Sequence, residues 1–388
     1  MNSSDLKGKR VTVMGLGLHS GGVGVAKFLV EAGAQVLVTD LKSKEQLATS
    51  LDKLKELKKI SYVFNQHRPE DFLKTDLVIK NPAVPWNNKY VQLALEKKIP
   101  VEMDSSLFFR LCKNRIIGVT GTKGKTTTAS LLVSIFKAAG KDVLKVGVSQ
   151  TSVLDKLKEA KEKTVVVFEL SSWRLSALGR MKVSPAVAVL TNIYPDHLNY
   201  YRSMNEYIAD KEQIFLHQKK TDLCVINLDN SWLEKSREKI KAEAVGFSRQ
   251  EYFSGPGAFV RGAGIFFRGK AAEKKILDLQ DIKLPGQHNQ ANVLAAVATA
   301  CALGVEAEKI QSGVRNFSGV AHRLELVREL SGVTYYNDSA ATTPESAISG
   351  INSLSLFSIS SSIHFFMCFC ITISRPSIFI LHSYFVIY

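Results

Sequence analysis

The stretch Gly118-Val119-Thr120-Gly121-Thr122-Lys123-Gly124-Lys125-Thr126-Thr127 decides the fold of this chain. It lies between an apolar pair, Ile116-Ile117, and a helix-like stretch over residues 128–139. A strand, a glycine-rich turn, a lysine, a hydroxyl and a helix form a phosphate site in this order, because backbone N–H groups and the helix N-terminus face the anion. Lys125 adds a charge and the Thr126 hydroxyl suits Mg²⁺, so the stretch predicts an ATP site.

The spacing departs from the strict G-x-x-x-x-G-K-[ST] pattern, because Val119 stands five positions before Gly124. A chance glycine-rich turn with an incidental lysine is the alternative. The sequence Thr-Gly-Thr-x-Gly-Lys-Thr-Thr is more demanding than a lone glycine cluster and favours the phosphate site. The residues expected to bind the nucleotide here are Gly121, Thr122, Lys123, Gly124, Lys125, Thr126 and Thr127.

Length and charge set the class of protein. The chain has 388 residues, of which 45% are hydrophobic, enough for two or three domains with their own cores. It carries 51 Lys and Arg against 36 Asp and Glu, a net charge of +15 that suits anionic ligands. The lysines are scattered over helix-like stretches such as 53–59 and 156–163, which indicates solvated helix faces rather than a nucleic-acid partner.

Cysteine usage and the N-terminus predict a cytoplasmic protein. The five cysteines contain no C-x-x-C pair, as expected for thiols in a reducing compartment. Residues 1–10 are polar and lack the apolar core of a secretory signal.

The first hundred residues follow a Rossmann-like plan. A strand over residues 10–16 runs into a glycine-rich turn, followed by a helix over 25–32, a strand over 35–39 and Asp40. The third glycine of a G-x-G-x-x-G would fall at Ser20, so the fingerprint is broken. This favours a nucleotide-like diphosphate ligand over hydride transfer with a dinucleotide.

A second α/β unit begins near Arg115, and its strands are continuous apolar runs typical of a parallel sheet covered on both faces. The predicted strands are 116–120, 142–146, 164–170, 186–191 and 223–227. Residues 252–284 change to short β-rich pieces with glycine turns, as in a small antiparallel flap, before helices resume at 290–302 and 307–317. The fold class is therefore α/β, a Rossmann-like domain followed by a P-loop ATPase domain with a mostly parallel sheet.

Four polar residues stand at or beyond the carboxyl ends of these strands, where open α/β sheets bind ligands. They are Glu169, Asn192, His197 and Lys211. Taken singly, each also fits an ordinary surface or helix-end position. As an ordered set with the glycine-rich loop, they indicate a site for a Mg²⁺-bound triphosphate.

The order and spacing of these motifs resemble the Mur ligase family over about residues 8–350. The stretches that carry the resemblance are 120–127, Glu169-Leu170-Ser171-Ser172, Thr191-Asn192, Asp196-His197, Lys211, 286–292, His322-Arg323-Leu324-Glu325 and Asn337-Asp338-Ser339. Within the family, the chain resembles the branch that adds D-glutamate.

The resemblance implies an ATP-dependent amide ligase of peptidoglycan precursor synthesis. The carboxylate of UDP-N-acetylmuramoyl-L-alanine would attack the γ-phosphate of ATP, and the amine of D-glutamate would displace phosphate from the acyl phosphate. It also implies a monomer with a UDP-substrate domain at 1–112, a central ATP-binding domain at 113–330 and the start of a C-terminal ligase domain at 331–351.

The resemblance also assigns roles to residues. Lys125 would hold the β- and γ-phosphates, Thr126 and Glu169 one Mg²⁺, and His197 with a carbamylated Lys211 a second metal. The other residues expected to contact the nucleotide are Asn289, Asn292, Arg323 and Asp338. The residues expected to bind the UDP substrate are Gly15, Leu16, Gly17, Leu18, Asp40 and Asn192.

Three departures from the family pattern leave the function of this chain open. Ala340 replaces a lysine, Gly147-Val148-Ser149-Gln150 lacks an expected asparagine, and Asn81-Pro82-Ala83 replaces Ser-Pro-Gly. The alternatives are a ligase for another amino acid or a non-catalytic nucleotide-binding remnant. The glycine-rich first domain argues against the folate branch of the family.

The last residues, 352–388, form an anomalous apolar tail in which Arg375 is the single charged residue. A membrane anchor is one interpretation, but Arg375-Pro376 divides the tail and neither half reaches the ~20 residues of a span. The favoured interpretation is a non-native or disordered segment, with most of the family's C-terminal domain missing and activity in question.

Overall fold

A computed structural model describes residues 2–18, 20–148, 152–251, 254–330, 333–341, 350, 365–372 and 380–387. The chain forms two compact units. Unit 1 contains residues 1–125, 141–226 and 230–244, and unit 2 contains residues 126–140, 227–229 and 245–388.

The helices and strands alternate along most of the chain. The helices are α1 Ser20–Glu31, α2 Ala48–Asp52, α3 Pro69–Leu73, α4 Lys89–Glu96, α5 Asp104–Leu111, α6 Lys125–Ala138, α7 Ser172–Met181, α8 Met204–Glu212, α9 Glu234–Arg237, α10 Gln287–Ala302 and α11 Ala307–Arg315. The first ten strands are β1 Arg10–Met14, β2 Gln35–Thr39, β3 Ile60–Val63, β4 Leu77–Lys80, β5 Val101–Glu102, β6 Ile116–Thr120, β7 Val143–Val146, β8 Val165–Glu169, β9 Val187–Leu190 and β10 Leu223–Asn227. The remaining strands are β11 Glu243–Ser248, β12 Gly257–Arg261, β13 Gly264–Arg268, β14 Glu273–Asp278, β15 Glu325–Leu330, β16 Val333–Asn337, β17 Phe365–Thr372 and β18 Ile380–Ile387.

Unit 1 begins with a five-stranded parallel sheet in the order β3-β2-β1-β4-β5. The strand order reverses between β1 and β4, the position at which doubly wound sheets open a crevice beyond their carboxyl ends. Apolar residues of β1, β4 and the helices make a core that includes Met14, Phe72, Val78, Val91 and Ala94. The sheet therefore places the loops after β1 and β4 side by side.

A second parallel set in unit 1 has the order β10-β9-β6-β8-β7. Every residue of β6, β9 and β10 is buried, as expected for strands covered on both faces. The glycine-rich loop follows β6 at the centre of this set. The carboxyl ends of its neighbours, β8 and β9, carry Glu169 and the segment from Thr191 onward.

In unit 2, β11 pairs with β12 in parallel, and β12, β13 and β14 form the predicted antiparallel flap. Helix α6 belongs to this unit because it packs on α10 and α11. The Ser134 hydroxyl donates to the Gly313 carbonyl at 2.7 Å, and a Cβ on Gly313 would lie 2.5 Å from the Ile135 Cα.

Unit 2 ends in an antiparallel sheet in the order β15-β16-β18-β17. Strands β17 and β18 lie within the predicted tail, and the other residues of 352–388 lie outside the described part of the chain. The interpretation of the tail as non-native, like the domain boundaries, stays a prediction. Across the described residues, no helix combines the length and apolarity needed to span a bilayer.

Candidate active site

The glycine-rich loop is held by the segment that follows β9. A Cβ on Gly121 would lie 1.9 Å from the Thr191 hydroxyl, and the Gly121 φ of +151° is one that side chains avoid. The Asn192 amide accepts from the Lys123 N–H at 2.9 Å and donates to the Lys123 carbonyl at 3.1 Å. Asn192, which was predicted to bind substrate, therefore stabilises the glycine-rich loop. Its role toward substrate stays a prediction.

Two lysines converge on one carbonyl of this loop. Lys125 and Lys211 each donate to the Gly121 oxygen at 2.9 Å. Lys125 also donates to the Thr122 carbonyl at 2.9 Å. The loop therefore holds two amino groups next to the turn that faces a phosphate in sites of this type.

Lys211 is almost fully buried, with 1% of its surface exposed. Burial lowers the pKa of Lys211 well below its ordinary value, and the nearby Lys125 lowers it further, against weaker opposing effects of Asp196 and Asp210. The amine also lies 4.7 Å from the ring centroid of Tyr207, one helical turn earlier on α8. A buried amine of lowered pKa spends more of its time neutral and nucleophilic than a surface lysine does.

Tyr207 is a residue that the sequence analysis missed. Its hydroxyl lies 3.1 Å from the Thr122 hydroxyl, and its ring lies within a group formed by Trp173, His197 and Tyr201. The spacing of Tyr207 and Lys211 on one helix face was the available signal.

Glu169 ends β8 with one carboxylate oxygen, Oε2, buried and without a hydrogen-bond partner. The neighbouring Trp173 Nε1 is buried in the same way. A buried carboxylate oxygen without a donor is costly unless it meets a cation or another ligand. This oxygen fits the predicted role of Glu169 as a Mg²⁺ ligand.

His197 lies beside this group in a left-handed conformation, with φ of +55°. Its ring centroid is 5.0 Å from that of Trp173. Burial lowers the pKa of His197, and the cations Lys211, Lys125 and Lys123 lower it further, whereas Asp196 raises it. The imidazole is therefore favoured in its neutral form, the form that binds metals.

The structure brings Glu169, His197 and Lys211 to the same edge of the second sheet, near Lys125. Within the described ranges, no group of three or more His, Cys, Asp and Glu side chains is placed to hold a metal ion. A Mg²⁺ site here would rely on few protein ligands, in keeping with an ion that keeps several waters and binds nucleotide phosphates.

The loop after β1 forms a separate polar site in unit 1. The Gly17 N–H donates to Asp40 Oδ2 at 3.0 Å, and the Lys42 N–H donates to Asp40 Oδ1 at 2.9 Å. Gly15 lies against Asn81, whose amide donates to the Gly15 carbonyl at 3.4 Å. Leu16 is fully buried, whereas Leu18 is 53% exposed, so the loop presents one apolar side chain to solvent.

Six of the predicted nucleotide residues lie in unit 2. Asn292 donates to the Asn289 side chain at 3.1 Å and lies 3.4 Å from the Thr128 hydroxyl of α6. Asp338 accepts from the Leu324 N–H at 3.1 Å, next to Arg323, and burial raises the pKa of its carboxyl. Thr126 and Thr127 form the first turn of α6 in the same unit.

One of the departures from the family pattern, residues 147–150, lies partly outside the described residues. Ser149 and Gln150 are outside them, whereas Ala340 donates from its backbone to the His322 carbonyl at 2.9 Å.

Comparison with known proteins decides the family. Residues 9–102 match the MurD-like N-terminal domain of Mur ligases, and residues 119–300 match the Mur ligase middle domain. A UDP-N-acetylmuramoylalanine–D-glutamate ligase of Roseiflexus sp. is 42% identical over 353 residues, covering 89% of this chain and 76% of the relative. The chain belongs to the Mur ligase family.

Other relatives and solved structures agree with this Mur ligase assignment. The enzymes of the same name from Alkaliphilus metalliredigens and Clostridioides difficile are each 37% identical, covering 89% and 90% of this chain and 75% and 76% of theirs. The structure of a UDP-N-acetylmuramate-alanine ligase from Thermotoga maritima matches with a TM-score of 0.54 at 22% identity, over 89% of this chain and 77% of that one. At that identity the likeness supports the α/β fold of Mur ligases, as predicted from the sequence.

Proposed function

We propose that this Mur ligase joins D-glutamate to UDP-N-acetylmuramoyl-L-alanine with hydrolysis of ATP, through an acyl-phosphate intermediate. The observation that carries the proposal is the convergence of Lys125 and Lys211 on the Gly121 carbonyl, with the buried, unpartnered Oε2 of Glu169 at the end of the adjacent strand β8. The names of relatives that are 37 to 42% identical support the choice of substrates.

The glycine-rich loop performs the positioning part of this reaction. Its backbone N–H groups and Lys125 neutralise the phosphates, while Asn192 and Thr191 keep the loop rigid. Holding the γ-phosphate in line with the attacking carboxylate replaces a bimolecular encounter with a favourable geometry. The UDP portion of the substrate is assigned to the loop after β1, with Asp40 and the exposed Leu18.

Mg²⁺ is assigned to this site because the unpartnered oxygen of Glu169 and the neutral imidazole of His197 suit a cation. When bound, the ion offsets phosphate charge. Glu169 is our proposed ligand for one ion and His197 for a second, and the role of Thr126 stays a prediction from the sequence motif.

Lys211 is proposed to carry a carbamate. Burial lowers the pKa of this amine, and its neutral form can add to CO₂ and release a proton, which leaves a carbamate anion next to Lys125. Intact-mass measurement under CO₂ should show one added CO₂ in the wild type and none in Lys211→Ala. Absence of the adduct, together with no rescue of Lys211→Ala by a small carboxylate, would contradict this assignment.

The proposed activity is tested by phosphate release from ATP with UDP-N-acetylmuramoyl-L-alanine, with and without D-glutamate. Release that depends on glutamate and yields amide product supports the proposal. Binding of ATP and the UDP substrate without turnover would instead support the alternative of a non-catalytic nucleotide-binding remnant. Phosphate release that depends on another amino acid would replace D-glutamate in the proposal but leave the proposed ligation reaction unchanged.

A further inference from the structure

Two basic side chains lie over the ring of Trp86. The Lys80 amine is 4.3 Å from the centroid of its ring, and the Arg180 guanidinium carbon is 4.1 Å from it. Lys80 is 2% exposed, whereas Arg180 lies at the surface. Cations stack on the electron-rich face of indole more favourably than on other aromatic rings.

The same three residues connect two distant parts of unit 1. Trp86 belongs to the segment that follows β4, and Arg180 belongs to α7, the helix that begins three residues after Glu169. The Trp86 indole N–H donates to the Ser176 hydroxyl of α7 at 2.8 Å. Trp86 therefore binds α7 through both a hydrogen bond and a stacked guanidinium.

Lys80 fixes the other end of this segment. As the last residue of β4, it donates to the Val84 carbonyl at 2.8 Å and so closes residues 81–84 into a compact loop. The loop is further held by Asn81, whose N–H donates to the Met14 carbonyl at 2.8 Å and whose amide reaches Gly15. The loop of residues 81–84 consequently lies at the switch point between β1 and β4, where a doubly wound sheet binds its ligand.

We propose that Lys80, Trp86 and Arg180 form a positioning clamp that holds the loop of residues 81–84 in the conformation that binds the UDP substrate and couples that loop to α7. None of the three is assigned a contact with substrate. The clamp rests on the proposed function only for the identity of the ligand, a uridine diphosphate group. Helix α7 begins three residues after Glu169. The clamp therefore also fixes the loop of residues 81–84 relative to Glu169, the proposed metal ligand.

The test compares binding of UDP and of ATP to full-length variants by calorimetry. Arg180→Gln should weaken UDP binding about threefold, Arg180→Lys should restore most of the loss, and ATP binding should stay within about twofold of the wild type. Lys80→Met should weaken UDP binding about tenfold, because it removes both a buried stack and the bond to Val84. The exposed Lys97→Gln removes the same charge elsewhere and should bind both nucleotides as the wild type does.

A double-mutant cycle isolates the bond to Ser176. Trp86→Phe and Ser176→Ala each remove it, so the double variant should bind UDP no more weakly than Trp86→Phe alone. If Lys80→Met fails to fold, the Arg180 variants and this cycle still test the clamp. Urea unfolding checks that these variants are folded under the conditions of the binding measurement. In turnover assays the KM for the UDP substrate should rise while the KM for ATP stays constant.

Wild-type binding of UDP by all the Arg180 and Trp86 variants would overturn the clamp. Equal losses of UDP and ATP affinity would also overturn it, because they would indicate a general structural role. Failure of the proposed function looks different, since the wild type would then bind both nucleotides without forming an amide.

Discussion

At the scale of single residues, Gly121 leaves no room for a side chain in the glycine-rich loop. A Cβ there meets the Thr191 hydroxyl at 1.9 Å and the Asn192 backbone at 3.1 Å. We expect Gly121→Ala to lower the free energy of unfolding by about 3 kcal/mol and to weaken ATP binding. The added methyl group would clash with the Thr191 hydroxyl and force the glycine-rich loop away from it. Urea unfolding and calorimetry measure the two effects.

Gly140→Ala is the matched control for this substitution. Gly140 also has a positive φ, +68°, but a Cβ there meets nothing within 4 Å. It should lose only about 1 kcal/mol through backbone strain and bind ATP normally. Equal losses in the two variants would show that strain, and not the contact with Thr191, limits the loop.

Lys80 should give the stability a dependence on pH. Burial, then Arg180, lower the pKa of Lys80 to about 7 from 10.5, against opposing effects of Asp104 and Asp210. Between these values the unfolded chain binds a proton that the folded chain has released, so this residue's contribution to stability rises with pH from about 7 to 10.5. Stacking on Trp86 favours the protonated form of Lys80, which narrows the pH range over which its contribution to stability rises.

Lys80→Met removes this contribution. The free energy of unfolding of the wild type, minus that of Lys80→Met, should therefore increase between pH 7 and pH 9. Denaturant unfolding at several pH values measures this difference. A constant or falling difference would contradict the lowered pKa.

At the scale of elements, α6 and α11 approach each other closely at Gly313. A Cβ on Gly313 would lie 2.5 Å from the Ile135 Cα and 2.8 Å from its backbone nitrogen, atoms that cannot move without moving α6. We expect Gly313→Ala to cost about 3 kcal/mol of unfolding free energy. The exposed Lys309→Ala on the same helix should change it by less than about 0.5 kcal/mol.

Sequence patterns predicted most of the elements but not their side-chain partners. The apolar runs of β6 and β10 have the predicted bounds, because strands buried on both faces are continuous in sequence. Helix α6 begins at Lys125, earlier than the predicted start at residue 128, because the last residues of the glycine-rich stretch, 125–127, form its first turn. The parallel pairing of β11 with β12 carries no local signal, and neither does the stacking of Lys80 and Arg180 on Trp86, since both depend on tertiary structure.

At the scale of the whole molecule, the chain passes between the two units several times, so neither unit is one continuous segment. Residues 1–112 contain the complete first sheet and its core and should fold alone, with cooperative urea unfolding followed by circular dichroism. Residues 113–244 should not, because Thr128, Ser134 and Ile135 of α6 would lose their contacts with α10 and α11. Cooperative unfolding of the second fragment would contradict the division into units.

The setting of Trp86 also makes it an optical reporter. The chain has three tryptophans, and replacing Trp173 and Trp232 by phenylalanine leaves one indole, which contacts the Lys80 amine and the Arg180 guanidinium. Charged neighbours shift and quench indole emission, so fluorescence from this single residue would register each displacement of the Arg180 guanidinium. Stopped-flow mixing could then time the loop's response to each ligand without any attached dye.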